Sequence, residues 1–439
     1  MGSAVLLSSA HLSLPERRVR EVEVLNPGNR VPLSLIIDDS TCLVNMAHFG
    51  IPQFAEVFPD KYKQDWRKLP REIPDSFVRE FGEWSIENGI KGKYSIVPYP
   101  ACTGWINRFI PGWTKQELEN SLNLVREIIV PNWDIHPEMI SHTRVIDIST
   151  GKPYPYPTVG YMENWEWSQN KSADELSAYQ VYALNIIKEA GLQCEGLTTP
   201  GGYGGRNQDN LALSTLQAVQ EVFGAEIPHY FRDIFTEKGK SVAPRVLYPS
   251  GLNGPDPKCV VSIQGCTGDW FGNWDGLNAG NPDNFISPGL NSGRMVDVIE
   301  SGEPAIMVCH WPGIYYNGEK TGFKILKEVV KRLKLKYDNL VWMRLNEIAR
   351  YWAAKELTSF VFSGNSLLIK APFASPLFTI KLNFQVKTAG LKSEGDLFHP
   401  LERIKDKNDL RSDTWYSDKD QTILCFPLKK GSGELVFSV

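Results

Sequence analysis

The sequence predicts an α/β protein: a parallel sheet with helices outside it, open or closed into a barrel, followed by a small antiparallel β module. Three observations predict this. From about residue 31 to 355, short apolar runs alternate with amphipathic helical stretches. Several of the runs show no polar alternation, as parallel strands buried on both faces require. After "LNEIARYWAAKE" the pattern changes to short strands separated by Gly, Asn, Asp and Ser turns.

The elements follow in order. "LSLIID", "KYSIVPY" (Lys93–Tyr99), the stretch near "WDIH", "LQCEGLTT", "PRVLYP", "CVVSIQG", "AIMVCH" and "NLVWM" read as strands. Between them, "TKQELENSLNLVREIIV" opens on a Thr114/Glu117 capping box, with Leu118, Leu122 and Val125 on one side. "SADELSAYQVYALNIIKEAG" repeats the device with Ser172 and Glu175 and stops at Gly191. "GFKILKEVVKRLKL" sets Phe323, Leu326, Val330 and Leu333 at helical spacing. These elements divide the chain into an N-terminal extension (residues 1–30), an α/β domain (31–356) with a long insertion at 40–92 expected to cap the site, and an all-β module (357–439).

Composition narrows the function classes. Of the 439 residues, 42% are hydrophobic and 22% charged, enough apolar surface for a large core. The net charge of −4 argues against a nucleic-acid partner, whose footprint is a basic face. No apolar run approaches the roughly 20 residues of a membrane span. The opening "AVLLSSAHLSL" reads as a strand rather than the stub of a signal peptide. The compartment stays open: secreted or periplasmic if the N-terminus was trimmed, otherwise cytoplasmic. Seven scattered cysteines form no CxxC pair and suggest neither a zinc ribbon nor a disulfide framework. The oligomeric state leaves no signal.

Chemistry concentrates at the strand ends, the working edge of parallel α/β folds. "SLIIDDST" drives Leu35, Ile36 and Ile37 into the core and stops on Asp38 and Asp39. Adjacent carboxylates repel, so one of them needs a cation or a proton. "NWDIHPEMISHTRVID" supplies His136, Glu138 and His142 within seven residues. A helical turn would bring Glu138 and His142 to one face, whereas an extended chain would align all three. With a carboxylate from the first strand, such ligands suit a divalent metal such as zinc. In "AIMVCHWPG", His310 ends another buried strand and suits proton transfer near neutral pH.

The ordered set "LSLIIDDS", "KGKYSIVPY", "DIHPEMISHT", "TTPGGYGGRN", "GDWFG" and "IMVCHWPG" resembles the polysaccharide deacetylase (NodB-homology, carbohydrate esterase family 4-like) superfamily over residues 31–350. The resemblance implies a distorted (β/α)7-type barrel with a divalent metal, usually zinc-like in that family, with manganese, cobalt or nickel as alternatives. It implies Asp38 as catalytic base, His310 as general acid, and Asp39, Glu138 and His142 as metal ligands, with His136 in reserve. It also implies substrate contacts at Tyr203, whose neighbouring N–H would hold an oxyanion, and at Asp269, Trp270 and Trp311. Two departures stand out. Glu138 occupies the position of the family's first metal-binding histidine, and the motif arginine before the "PGGYG" turn is missing, with Arg206 the nearest substitute.

The expected activity is metal-assisted removal of an N- or O-linked acetyl group from a carbohydrate. Two other readings remain at this stage. One is a hydrolase on the same barrel acting on a non-sugar amide or on a glycosidic bond, with Asp38 paired to Asp269 or Glu163. The other is a carbohydrate-binding protein without catalysis.

Overall fold

The computed structural model describes residues 22–393 and 398–439. The opening segment read as a strand lies outside them. The described chain forms two units, Arg30–Ala353 and Ala354–Val439 with residues 22–29.

Two main sheets build the larger unit, beside a two-stranded ribbon of Ile146–Asp147 and Lys152–Pro153. In the first, β1 (Val31–Asp38) is buried along its whole length, as its unbroken apolar run requires. It pairs in parallel with β2 (Gly92–Ile96), and β2 in turn with β3 (Trp133–Pro137), where Ser95 faces His136. The second sheet contains β4 (Gly196–Thr198), β5 (His229–Ile234), β6 (Arg245–Ser250) and β7 (Lys258–Gly265), in the order β4-β5-β7-β6. The chain then returns to the first sheet as β8 (Ala305–His310), which lies beside β1 with His310 facing Asp38. β9 (Leu340–Trp342) adds to the start of β1.

The two sheets meet at two places. Glu138 and Thr198 form a single parallel bridge, and Cys266 N–H donates to the Ile306 carbonyl at 2.8 Å. Eight strands of this unit, β1–β5 and β7–β9, pair in parallel, while β6 runs antiparallel to β7 and is only partly buried. "PRVLYP" therefore differs from the expected parallel core strand. Its direction is set by its partner and not by its own residues.

The helices follow the sequence signals. Thr114 and Glu117 form a capping box on Lys115–Leu124, and Ser172 and Glu175 form one on Ala173–Glu189. Phe323, Leu326, Val330 and Leu333 of Thr321–Lys336 are all buried. Within residues 40–92, the helix Asp75–Asn88 packs Phe77 and Phe81 on Trp311 and Phe323, at ring separations of 5.0 to 5.7 Å. The preceding segment, through Met46–Val57 and Tyr62, instead reaches the strand ends.

In the smaller unit, strands Ser359–Ser363, Ser366–Ala371, Gly431–Ser438, Thr388–Ser393 and His399–Pro400 form one antiparallel sheet. Val22–Val24, Ser375–Leu382, Thr422–Leu428, Thr414–Ser417 and Glu402–Arg403 form another, whose last pair is parallel. Val22–Val24, read from sequence as part of an extension, is thus a strand of this unit. Three residues are too few to show alternation.

Candidate active site

Asp38 is the last residue of β1, and Asp39 turns out of it with φ 59°. That left-handed step, rare for a residue with a side chain, lets the adjacent carboxylates diverge. Asp38 meets Lys93, a fully buried lysine on β2. The Lys93 ammonium donates to the Asp38 carboxylate, to the Ile37 carbonyl at 3.0 Å and to Ser95 Oγ at 2.8 Å, so its three protons are all placed. Burial pushes the Asp38 carboxyl up to about 6, against the pull of Lys93.

Asp39 faces the other way. Its Oδ1 lies 2.7 Å from His142 Nε2, and His142 Nε2 lies 3.2 Å from Glu138 Oε1. Glu138 Oε2 accepts the Asp39 backbone N–H at 2.8 Å. Neither arrangement expected for this segment is realised. β3 ends at Pro137, and the loop then turns through two left-handed residues, Met139 (φ 51°) and His142 (φ 64°), to bring His142 back to Glu138.

Glu163 holds that loop. Its carboxylate is buried and accepts the N–H groups of Ile140, Ser141 and His142, together with the Tyr179 hydroxyl. Burial pushes its carboxyl up to about 7, with the Tyr179 and backbone donors opposing.

Asp39, Glu138 and His142 fit a divalent cation. Their ligand atoms lie within 4.8 Å of one another, all three residues are buried, and two are carboxylates. The Asp39–His142 contact is not aligned as a hydrogen bond, which leaves Asp39 Oδ1 buried with no donor. Burial alone would lower the proton affinity of His142, but Asp39 and Glu138 raise it well above the ordinary imidazole value. A positive charge is wanted at this point.

His310 closes the arrangement from β8. Its Nδ1 lies 2.8 Å from Asp269 Oδ2, which also accepts the His310 backbone N–H at 3.2 Å. Burial opposes protonation of His310, yet Asp269, Asp39 and Asp38 together raise it to about 10. A cavity of about 400 Å³ joins Asp38, Asp39, Glu138, His142 and His310. Phe54, Tyr62 and Trp274 line it as aromatic faces, and Asn164, Arg232 and Asp233 as polar groups.

Five expectations from the sequence need correction. His136 lies apart from the other proposed ligands, because it points from the middle of β3 toward Asp134 and His229. Tyr203 is fully buried, and its N–H is spent on the Pro200 carbonyl at 2.9 Å; Thr199 and Gly201 of the same turn line the cavity instead. Trp311 is a core ring among Phe77, Phe81 and Tyr94. Trp270 packs on Phe285, outside the cavity lining. Asp269 is engaged with His310, lying 2.8 Å from its Nδ1 and accepting its backbone N–H.

The cationic residues also differ. Arg206 is exposed and paired with Glu166, whereas Arg232 lines the cavity and donates to the Gly201 carbonyl at 2.7 Å. Both carboxylates considered as partners of Asp38 for glycosidic cleavage are engaged, Asp269 with His310 and Glu163 with the loop. Lys93 was missed, although a lysine inside "KYSIV" two residues before a serine was the available signal. Asp134 was missed too; it precedes His136 and Glu138 at strand spacing.

No family model matches the chain, and no curated protein matches it. Among solved structures it is similar to a probable polysaccharide deacetylase from Pseudomonas aeruginosa PAO1, at 12% identity and TM-score 0.38 over 74% of this chain and 91% of that one. It is similar to Puue allantoinase at 14% identity and TM-score 0.38 over the same shares, and to a mutant of a CE4 family pseudoenzyme at 11% and 0.32, over 74% and 70%. At such values the chemistry of the site rests on its own geometry.

Proposed function

We propose that this chain is a metal-dependent hydrolase that removes N- or O-linked acetyl groups from a carbohydrate. The supporting observation is the pairing of Asp38 and His310 at the ends of neighbouring strands, on the cavity that also holds Asp39, Glu138 and His142. A divalent ion held by those three residues, zinc or else manganese, cobalt or nickel, would polarise the acyl carbonyl and acidify water.

The protein's own groups do the rest. Asp38, on the cavity wall beside His310, takes the proton from the attacking water. Lys93 keeps Asp38 oriented and prevents it from turning to the cation. Asp269 holds His310 by Nδ1, which leaves Nε2 to protonate the departing amine or alkoxide. Phe54, Tyr62 and Trp274 offer flat faces to sugar rings, and Asn164, Arg232 and Asp233 offer hydrogen bonds to hydroxyls. Closure of seven strands into a distorted (β/α)7-type barrel belongs to the same proposal, supported by the contacts at Glu138–Thr198 and Cys266–Ile306.

The test is acetate release from an acetylated oligosaccharide. Asp38→Asn is expected to lose about 10³-fold in turnover while its bound metal is unchanged. Activity retained in that variant sinks the assignment.

A further inference from the structure

A second group of convergent side chains lies deeper in the larger unit. Asp134 and His136 project from the same face of β3, two residues apart, and His229 opens β5. Both histidines are completely buried and Asp134 is 6% exposed. Three atoms point at one another: His229 Nε2 lies 2.7 Å from Asp134 Oδ2, His136 Nε2 lies 3.2 Å from the same oxygen, and the two Nε2 atoms are 2.9 Å apart.

Protons alone do not satisfy this contact. Only one of two nitrogens 2.9 Å apart can present a hydrogen to the other, since two facing N–H groups repel. Two imidazolium rings there would place like charges in a buried site. With one proton between the rings, a bare nitrogen lone pair still faces the carboxylate oxygen. A cation at the centre gives all three lone pairs a partner at once.

The surroundings agree. Gly196 leaves the space free: a Cβ there would stand 2.5 Å from His136 Nε2 and 2.7 Å from His229 Nε2. His136 Nδ1 lies 3.3 Å from Thr198 Oγ1, the kind of outer hydrogen bond that fixes a ligating imidazole. The Asn346 N–H donates to Asp134 Oδ2 at 3.1 Å, while the Asn346 side-chain oxygen is buried without a partner. Bonds of about 2.0–2.1 Å in a tetrahedron separate ligand atoms by roughly 3.3 Å, so each would withdraw by only a few tenths of an ångström.

We propose that Asp134, His136 and His229 form a buried structural site for zinc, or for a first-row ion of similar nitrogen preference, that ties β3 to β5. It is distinct from the set Asp39, Glu138 and His142. Glu138 stands two residues after His136, just past the end of β3, which places the two sites on the order of 7 Å apart along the chain. The inference does not depend on the hydrolase reading.

The test uses the full chain, loaded with zinc, freed of excess ion and analysed for metal. The expected content is two ions per chain in the wild type and one in either Asp39→Asn or His229→Gln. Should His229→Gln not fold, the Asp39→Asn protein loaded with cobalt decides. It is expected to show the intense visible bands of a low-coordinate cobalt site with nitrogen ligands, and its Tm should rise by about 5 °C with the ion. A folded Asp39→Asn protein that takes up no ion, with no cobalt bands and no Tm shift, overturns the proposal and leaves the hydrolase reading standing. One ion that persists in Asp39→Asn and is lost in His229→Gln would support this site and count against the other.

Discussion

Asp38 and Lys93 form a buried ion pair in which each charge depends on the other. Removing one partner of such a pair leaves an uncompensated charge and typically costs about 3–5 kcal/mol. Lys93→Met should therefore lower stability by that order at pH 8, read by urea unfolding, and should cut acetate release about 100-fold or more, because Asp38 would no longer be held as a base. The double variant Asp38→Asn with Lys93→Met should recover part of the stability and none of the activity. Stability unchanged in Lys93→Met would show that the pair is not formed. At this scale the sequence was half legible. Two carboxylates ending an apolar strand announce chemistry, and Asp39, Glu138 and His142 do converge. Lys93 was hidden because a lysine in a strand ordinarily points to solvent, and only the β1–β2 register shows where its ammonium goes.

Local signals placed the helices well, since capping is decided within four residues. In the helix Ala173–Glu189, Glu175 accepts from Lys171 Nζ and from the Ser172 N–H, both at 2.9 Å. The Lys171 bond first, then the Ser172 bonds, hold its carboxyl down at about 2, below its ordinary value of 4.5. A depressed carboxyl stabilises the fold above pH 4.5, and that contribution is lost as pH falls toward 2. Glu175→Gln should lower Tm by about 1 °C at pH 7, with the difference vanishing near pH 2; a pH-independent gap would contradict the capping role. Strand direction and loop course were less legible. β6 reads from sequence as a strand with no sign of its antiparallel direction, and the turn after Pro137 as helical or extended, because both are set by distant partners: β7 for one and Glu163 for the other.

For the molecule as a whole, the change of pattern near residue 357 reflects a real change from parallel to mainly antiparallel pairing, and the helix boundaries follow the capping signals. Burial is legible in aggregate, and the cysteines show it. Six of the seven are buried, and Cys102 is half-buried. Burial pushes the thiols of Cys42, Cys102, Cys259 and Cys266 up to about 12, and those of Cys194 and Cys309 well above their ordinary value. A chromogenic disulfide reagent at pH 8 should thus react slowly with the native chain at these six and titrate all seven thiols after denaturation. Rapid native reaction at several of them would contradict the core described above. The aromatic wall of the cavity was less legible, since Trp274 joins Phe54 and Tyr62 from a distant part of the chain. The central claim is that Asp39, Glu138 and His142 hold an ion on which hydrolysis depends. Acetate release from an acetylated oligosaccharide, measured before and after the ion is stripped and returned, tests it most directly. The account predicts a loss of about 100-fold or more on stripping, recovery with zinc, and no recovery in Asp39→Asn. A stripped wild-type protein that releases acetate at its original rate would contradict it.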